Sequence, residues 1–388
     1  MSRIAVLGSG AWGTAIALAL YRRGGHHITL WSHSAEEAGK IAAAGENILF
    51  LPGFPLPNDI AITTDGAAVA QADIVVSVIP SEFLRPTLAR LKPYFHSGQI
   101  VVSATKGVEN NTYLRMTQVI ASCLLESVPP GTMNLNIRPE PVAGANLDTH
   151  LEVFTEASAP EVSSSGLEPA VLAMNDWPQP AETLPIGAFS GPSFALEVAQ
   201  GQPTAVTVAF ADPAVAARLQ QDFSSQALRL YTSTDVIGVE LGGALKNVIA
   251  IAAGVAAGMG LGYNSSAALM TRGIAEITRL AVACGGRRET LAGLSGVGDL
   301  VLTCTGSLSR NRTVGQALGQ GRNLPEILES LGGKVAEGVL TTRAALGLAR
   351  QHNIEMPITE QMELILDEGK DPREAIKDLM LRPGKHEH

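Results

Sequence analysis

An α/β N-terminal half built on a mostly parallel sheet, followed by an all-helical C-terminal half, is the fold this sequence predicts. Three observations carry it. Apolar strand-like runs alternate with helical stretches up to residue 234. The first of those runs leads into glycines at G-x-G-x-x-G spacing, and strand signals stop after Asp235. A βαβ rhythm of this kind places helices on both faces of a parallel sheet.

The first element is the apolar run 4–7, Ile-Ala-Val-Leu, which suits a buried strand. Gly8, Gly10 and Gly13 follow, and residues 14–23 continue as an apolar-periodic helix. In that order the glycines supply a tight turn, close backbone approach to a pyrophosphate, and close helix–strand packing. The helix start adds free N–H groups and a positive dipole end. Strand, loop and helix in this sequence make a Rossmann-like dinucleotide-binding unit. Further strands are expected at 28–31, 74–78, 100–103 and 187–190, with 204–210 and 228–231 as additions. Ser81 and Glu82 read as the cap and first-turn acid of one intervening helix. From residue 235 the chain reads as helices joined by short loops, giving domains at 1–234 and 235–388. Residues 126–183 interrupt the first domain with proline, serine and acidic residues and no periodicity, so composition predicts a solvated excursion.

The 388 residues suffice for two sizeable cores, and a hydrophobic share of 46% with mean hydropathy +0.18 indicates a soluble protein. A net charge of −9 argues against nucleic acid or an anionic membrane surface as partner, so any phosphate must be held by a local basic cluster. Cys123, Cys284 and Cys304 are widely spaced, which disfavours a disulfide scaffold or structural zinc; no metal site is expected and the cytoplasm is the expected compartment. The N-terminus runs into a strand without a signal-peptide pattern. Residues 247–271 carry no charge, but glycines and polar residues break them, so a buried globular helix ending in a glycine-rich loop is expected rather than a membrane span.

Chemistry concentrates at four places. The helix expected from Asp235 to about Gly258 is apolar almost throughout yet carries Glu240, Lys246 and Asn247. Burial lowers an ammonium pKa toward the range of a general acid or base, whereas a structural Lys–carboxylate pair is the bland alternative. Glu240 lies on a different face from Lys246 but shares one with Asn247, so those two could orient one another. A second cluster joins Ser295-Gly-Val-Gly-Asp299 to Ser309-Arg-Asn-Arg312, where hydroxyl, amide and guanidinium groups suit a phosphate; a capped helix start with solvated arginines is the competing reading. Ser190-Gly-Pro-Ser-Phe-Ala195 and Thr105-Lys-Gly107 each follow a strand at the sheet edge where ligands bind in such folds.

The blocks Gly8-Ser-Gly-Ala-Trp-Gly-Thr-Ala, Lys106-Gly107, Ser190-Gly-Pro-Ser-Phe-Ala, Ala244-Leu-Lys-Asn-Val, Thr271-Arg-Gly, Gly298-Asp-Leu and Ser309-Arg-Asn-Arg run in one order across nearly the whole chain. In this the sequence resembles the bacterial NAD(P)-dependent glycerol-3-phosphate dehydrogenases. The resemblance implies reduction of dihydroxyacetone phosphate to sn-glycerol 3-phosphate, a phospholipid precursor, with NADPH or NADH as cofactor, and a homodimer. It implies Lys246 as the catalytic proton donor and acceptor. Lys106, Gly191, Ser193, Asp299, Ser309, Arg310 and Asn311 would surround the substrate. Beside the glycine loop, Ala11, Trp12, His33, Phe50, Lys106, Ala195, Arg310, Val335 and Glu337 would meet the cofactor. Two departures stand out: Ala336 replaces the family's usual valine, and 126–183 has no matching block.

Two other readings remain open on the residues alone. One is a dehydrogenase of similar plan acting on a phosphate-free hydroxyacid; the other is a nucleotide-sensing protein without catalysis. For the cofactor, the second strand ends Leu30-Trp-Ser-His-Ser34 with no carboxylate before Glu36. Nothing there rejects a 2′-phosphate, so NADPH is expected to serve at least as well as NADH.

Overall fold

The computed structural model describes residues 1–125, 184–330, 336–384 and 386–387. The Pro/Ser-rich stretch 126–183 and Val335 therefore lie outside the described residues.

Eight strands form one sheet: β1 (Ser2–Leu7), β2 (His26–Trp31), β3 (Ala61–Thr63), β4 (Ile74–Ser77), β5 (Ile100–Ser103), β6 (Ile186–Ser190), β7 (Thr204–Ala209) and β8 (Leu228–Ser233). Their spatial order is β3-β2-β1-β4-β5-β6-β7-β8, parallel throughout except for the antiparallel pair β6–β7. The order reverses direction between β1 and β4, which opens a crevice at the carboxyl ends of the strands there. Side chains alternate into two cores. Ile4, Val6, Ile74, Val76 and Val102 face one, while Ala5, Leu7, Val75 and Val101 face the other. Burial on both faces is why these strands read as continuous apolar runs.

The intervening helices are α1 (Ala11–Arg23), α2 (Ala35–Ala44), α3 (Ala67–Ala70), α4 (Ser81–Leu91), α5 (Met116–Leu124), α6 (Ala195–Gln200) and α7 (Pro213–Phe223). Ser81 is not the cap of α4: Pro80 takes the N-cap position, Ser81 is the first helical residue, and no side chain caps this end. Proline fixes the extended backbone that stops a helix growing backward, so the hydroxyl one residue later has no capping geometry.

After β8 come α8 (Val236–Gly258), α9 (Tyr263–Ala283), α10 (Arg288–Leu291), a single π turn at Leu294–Gly298, then α11 (Asp299–Thr305), α12 (Arg310–Gly319), α13 (Leu324–Ser330), α14 (Glu337–Gln351), α15 (Pro357–Asp367) and α16 (Pro372–Met380). Asp235 caps α8 by accepting from the Gly238 N–H at 2.8 Å. α8 is long and apolar enough to cross a membrane, but it is buried at the centre of the third core, against residues of α9, α11, α12 and α14. An all-round apolar helix of this kind marks the middle of a helical bundle.

Candidate active site

The glycine loop is built as a phosphate cradle. Gly8 has φ +119°, a conformation open to glycine, and its N–H bonds the Trp31 carbonyl at 2.9 Å. A Cβ on Gly13 would collide with the Gly8 carbonyl, so only glycine lets α1 come this close to β1. A Cβ on Gly10 would meet nothing within 4 Å: this side of the loop is open. No side chain caps α1, which leaves the first-turn N–H groups directed at that opening. Ala11 and Trp12, in the first turn, are half-buried; the Trp12 ring lies 6.3 Å from that of Phe189, and its indole N–H has no partner among the described residues. Ala195 opens α6, which packs on α1.

Beneath the loop, Asn47 donates to the Ser9 carbonyl at 2.7 Å and to Thr14 Oγ1 at 2.8 Å, and accepts from the Phe50 N–H at 3.2 Å. Phe50 is thereby anchored beside the phosphate loop, half-buried. At the end of β2, His33 is exposed and Ser34 caps α2 by accepting from the Glu37 N–H. Ser32 is buried and bonded to Ser9 Oγ at 2.9 Å, while Ser34 is half-buried. Glu36 turns along α2 to an ion pair with Lys40, which holds its carboxyl below the usual range.

The decisive cluster lies at the carboxyl edge of β5 and β6. Lys246 projects from α8 and donates to Asp299 Oδ1, and to Thr303 Oγ1 at 2.7 Å. Lys106, in the loop after β5, donates to Asp299 Oδ2 at 2.7 Å and to the Gly191 carbonyl at 3.2 Å. Ser193 donates to the same carbonyl at 3.0 Å. Two ammonium groups thus share one fully buried carboxylate. Burial pushes the Lys246 pKa down to about 8; Asp299 opposes that shift and the charge of Lys106 adds to it. Asn247, the next residue on α8, is buried, and its amide nitrogen has no partner among the described residues.

A second group sits where α12 and α14 begin. Ser309 caps α12 by accepting from the Arg312 N–H at 3.2 Å, and buried Asn311 accepts from the Gly338 N–H at 3.0 Å. Arg310 is exposed at the first position of α12. Glu337 opens α14; burial raises its pKa, against the charges of Arg310, Lys106 and Lys246. Those shared influences tie the two groups into one electrostatic site.

One expectation changes. Glu240 does not orient Asn247: its carboxylate points to Arg115 and to Thr117, whose N–H and hydroxyl it accepts at 2.7 Å each. The two residues share a helix face but stand two turns, about 10 Å, apart. Lys246, for its part, does pair with a carboxylate, that of Asp299 on α11. Thr303 went unnoticed in the sequence, although it follows Asp299 by one helical turn and so had to share its face.

Comparison with known proteins agrees with this geometry. The N-terminal model of the NAD-dependent glycerol-3-phosphate dehydrogenases matches residues 3–132 and 173–216, and the C-terminal model matches 235–377. The chain belongs to this family. A glycerol-3-phosphate dehydrogenase (NAD(P)+) of Acidobacterium capsulatum is 52% identical over 100% of both chains. One from Koribacter versatilis is 49% identical over 100% of this chain and 99% of that one. The crystal structure of glycerol-3-phosphate dehydrogenase from Coxiella burnetii superposes with a TM-score of 0.80 at 34% identity, covering 98% of this chain and 99% of that one. The family model skips residues 133–172, yet the Acidobacterium relative aligns from end to end, so a segment of this length is not peculiar to this chain. As a family member the protein is an NAD(P)-dependent oxidoreductase.

Proposed function

We propose that the protein reduces dihydroxyacetone phosphate to sn-glycerol 3-phosphate, reversibly, with NADPH or NADH, supplying glycerophospholipid synthesis. The observation that carries this is the convergence of Lys106 and Lys246 on Asp299, beside a glycine loop fit for a dinucleotide and an arginine-bearing helix start fit for a phosphate.

The residues present suit the cofactor: the open side of Gly10, the uncapped start of α1 and the unpartnered Trp12 indole N–H all await a polar ligand. Gly8, Gly10, Ala11, Trp12, Gly13, His33, Phe50, Lys106, Ala195, Arg310, Val335 and Glu337 would hold it. Once bound, the nicotinamide supplies the hydride that reaches the carbonyl carbon. Lys246 gives the matching proton to the carbonyl oxygen, completing the alcohol, and takes it back in the reverse direction. Its pKa of about 8 lets it do both near neutrality. Asp299 and Thr303 aim the ammonium, and Asn247 offers an amide N–H to a substrate oxygen. Gly191, Ser193, Lys106, Ser309 and Asn311 line the substrate's surroundings, and Arg310 grips the phosphate, bringing the ketone into attack geometry.

A turnover assay with NADPH tests the reading. Dihydroxyacetone phosphate should be reduced and phosphate-free hydroxyketones or ketoacids should not; the reverse result overturns it. NADPH should match or exceed NADH in kcat/KM, because no carboxylate ends β2, His33 is exposed there and Glu36 is paired with Lys40. A tenfold preference for NADH sinks that part.

A domain division at 234 belongs to the same proposal, supported by β8 ending at Ser233 and α8 starting at Val236. A cytoplasmic homodimer fits as well. All three cysteines are free thiols, and Leu261 and Tyr263 expose apolar surface between α8 and α9. Light scattering on the purified chain decides the oligomeric state.

A further inference from the structure

Glu240 has no part in the chemistry described so far, yet its buried carboxylate accepts three hydrogen bonds. It is buried on α8, six residues before Lys246, and accepts from Arg115, from the Thr117 N–H and from the Thr117 hydroxyl. Arg115 is the N-cap of α5 and Thr117 lies in its first turn, so Glu240 satisfies an orphan donor of α5 from across the core. A desolvated carboxylate is tolerated only when its lone pairs are used, and here they are.

The loop between β5 and α5 is fastened elsewhere too. Val108 and Arg115 form an antiparallel bridge, and the Glu109 N–H bonds the Leu114 carbonyl at 2.9 Å. Glu109 takes two hydrogen bonds from Arg85 of α4, each 2.8 Å. Asn111 and Tyr113 adopt positive φ, a strained backbone that persists only where surrounding contacts fix it. Tyr113 fills the space left by Gly347 of α14, and Val108 sits in the helical core. Lys106 is two residues before Val108 and ends on Asp299. A continuous set of bonded groups therefore runs from Glu240 through Arg115 and Val108 to Lys106.

We propose that Glu240 is a positioning residue: by holding Arg115 and Thr117 it fixes the β5–α5 loop, which keeps Lys106 on Asp299 beside Lys246. It acts on the reaction through Lys106, without touching substrate or cofactor. This rests on the roles proposed above for the two lysines.

The consequence is electrostatic. Lys246 is faced by Asp299 of α11 and Lys106 of the loop, with Cys304 of α11 and Glu337 of α14 also within its field. The charge of Lys106 lowers the Lys246 pKa and that of Asp299 raises it. Releasing Lys106 removes the lowering influence and leaves Asp299 wholly to Lys246, so the Lys246 pKa must rise.

Three variants test this. Glu240→Gln keeps an acceptor for the Thr117 N–H but drops the charge; Thr117→Val removes one hydroxyl and spares the ion pair. Glu276→Gln is the matched control. Its carboxylate is also buried and accepts from the Ile358 N–H at 2.7 Å in the first turn of α15, away from the loop. For each, the Lys246 side-chain NMR shift is titrated against pH without substrate, and kcat is measured across pH with NADPH. Glu240→Gln should raise the midpoint by about half a unit or more and lower kcat about tenfold. Thr117→Val should move both in the same direction by less, and Glu276→Gln should lower Tm alone. If Glu240→Gln and Thr117→Val lower Tm while leaving midpoint and kcat unchanged, Glu240 is merely structural. A wild-type chain that reduces no ketone phosphate would sink the functional reading, and the substrate-free titration would still decide the positioning role.

Discussion

At Lys246 an ammonium group has lost nearly all its water and is held by one carboxylate and one hydroxyl. Removing it with Lys246→Met should cut turnover by about 10²–10⁴-fold while leaving NADPH affinity near wild type, since proton transfer is what is lost. Activity within threefold of wild type would make Lys246 structural. The pKa near 8 fixes the pH dependence as well. Ketone reduction needs the protonated amine, so its kcat/KM should fall as pH rises through about 8; alcohol oxidation needs the free amine, and its kcat/KM should rise through the same point. Profiles that move together would assign the proton to another group. At α12 the contrast is between Arg310, exposed at the helix start, and Arg312, half-buried. Arg310→Lys keeps charge but loses the planar fork, so KM for the phosphate substrate should rise about tenfold or more. Greater damage from Arg312→Lys would reverse the assignment. The types and places of these residues were legible in the sequence, but their pairing was not. Asp299 meets Lys246 across 53 positions and Glu240 meets Arg115 across 125, and no local pattern encodes such a meeting.

Secondary elements show where a sequence speaks and where it falls silent. β1, β4 and β5 are apolar on both faces, so their runs announce them. β3 was not anticipated because it is a three-residue edge strand with no buried residue. The antiparallel entry of β7 was hidden too, since strand periodicity carries no direction. Ser81 looked like a cap because capping is read from residue type, whereas the preceding proline decides the backbone. α1 offers the sharpest test at this scale. Gly13→Ala forces a methyl against the Gly8 carbonyl, so α1 must lift from β1; both Tm and cofactor affinity should fall. Gly10→Ala puts the same methyl into open space, on the side where a pyrophosphate would approach. It should leave Tm within a degree or two and weaken NADPH binding by about tenfold or more. If Gly10→Ala binds NADPH normally, the opening of the loop is not the phosphate site.

Across the whole molecule, Val108 of the nucleotide-binding half is built into the core of the helical half, with Tyr113 packed against that core. Val108 leaves β5's side of the chain and packs with residues of α8 and α14, fully buried. The helical half then cannot lose its core without releasing the β5–α5 loop, nor can the loop leave without opening that core. Coupling of this kind predicts one cooperative unfolding transition for the two halves, although the chain exceeds the usual size of two-state domains. A Trp177→Phe variant allows a direct check, because the remaining tryptophans, Trp12 of α1 and Trp31 of β2, both lie in the first half. Tryptophan emission therefore follows the first half, while far-UV circular dichroism is dominated by the helices of the second. The two midpoints should coincide on heating or in urea. Val108→Ala should remove about 2 kcal/mol by deleting two buried methyl-sized groups, and should lower both midpoints together. Added NADPH, bound at the glycine loop, should raise both by the same interval. If Val108→Ala lowers only the dichroism midpoint, or NADPH raises only the fluorescence midpoint, the halves unfold independently and Val108 does not join them.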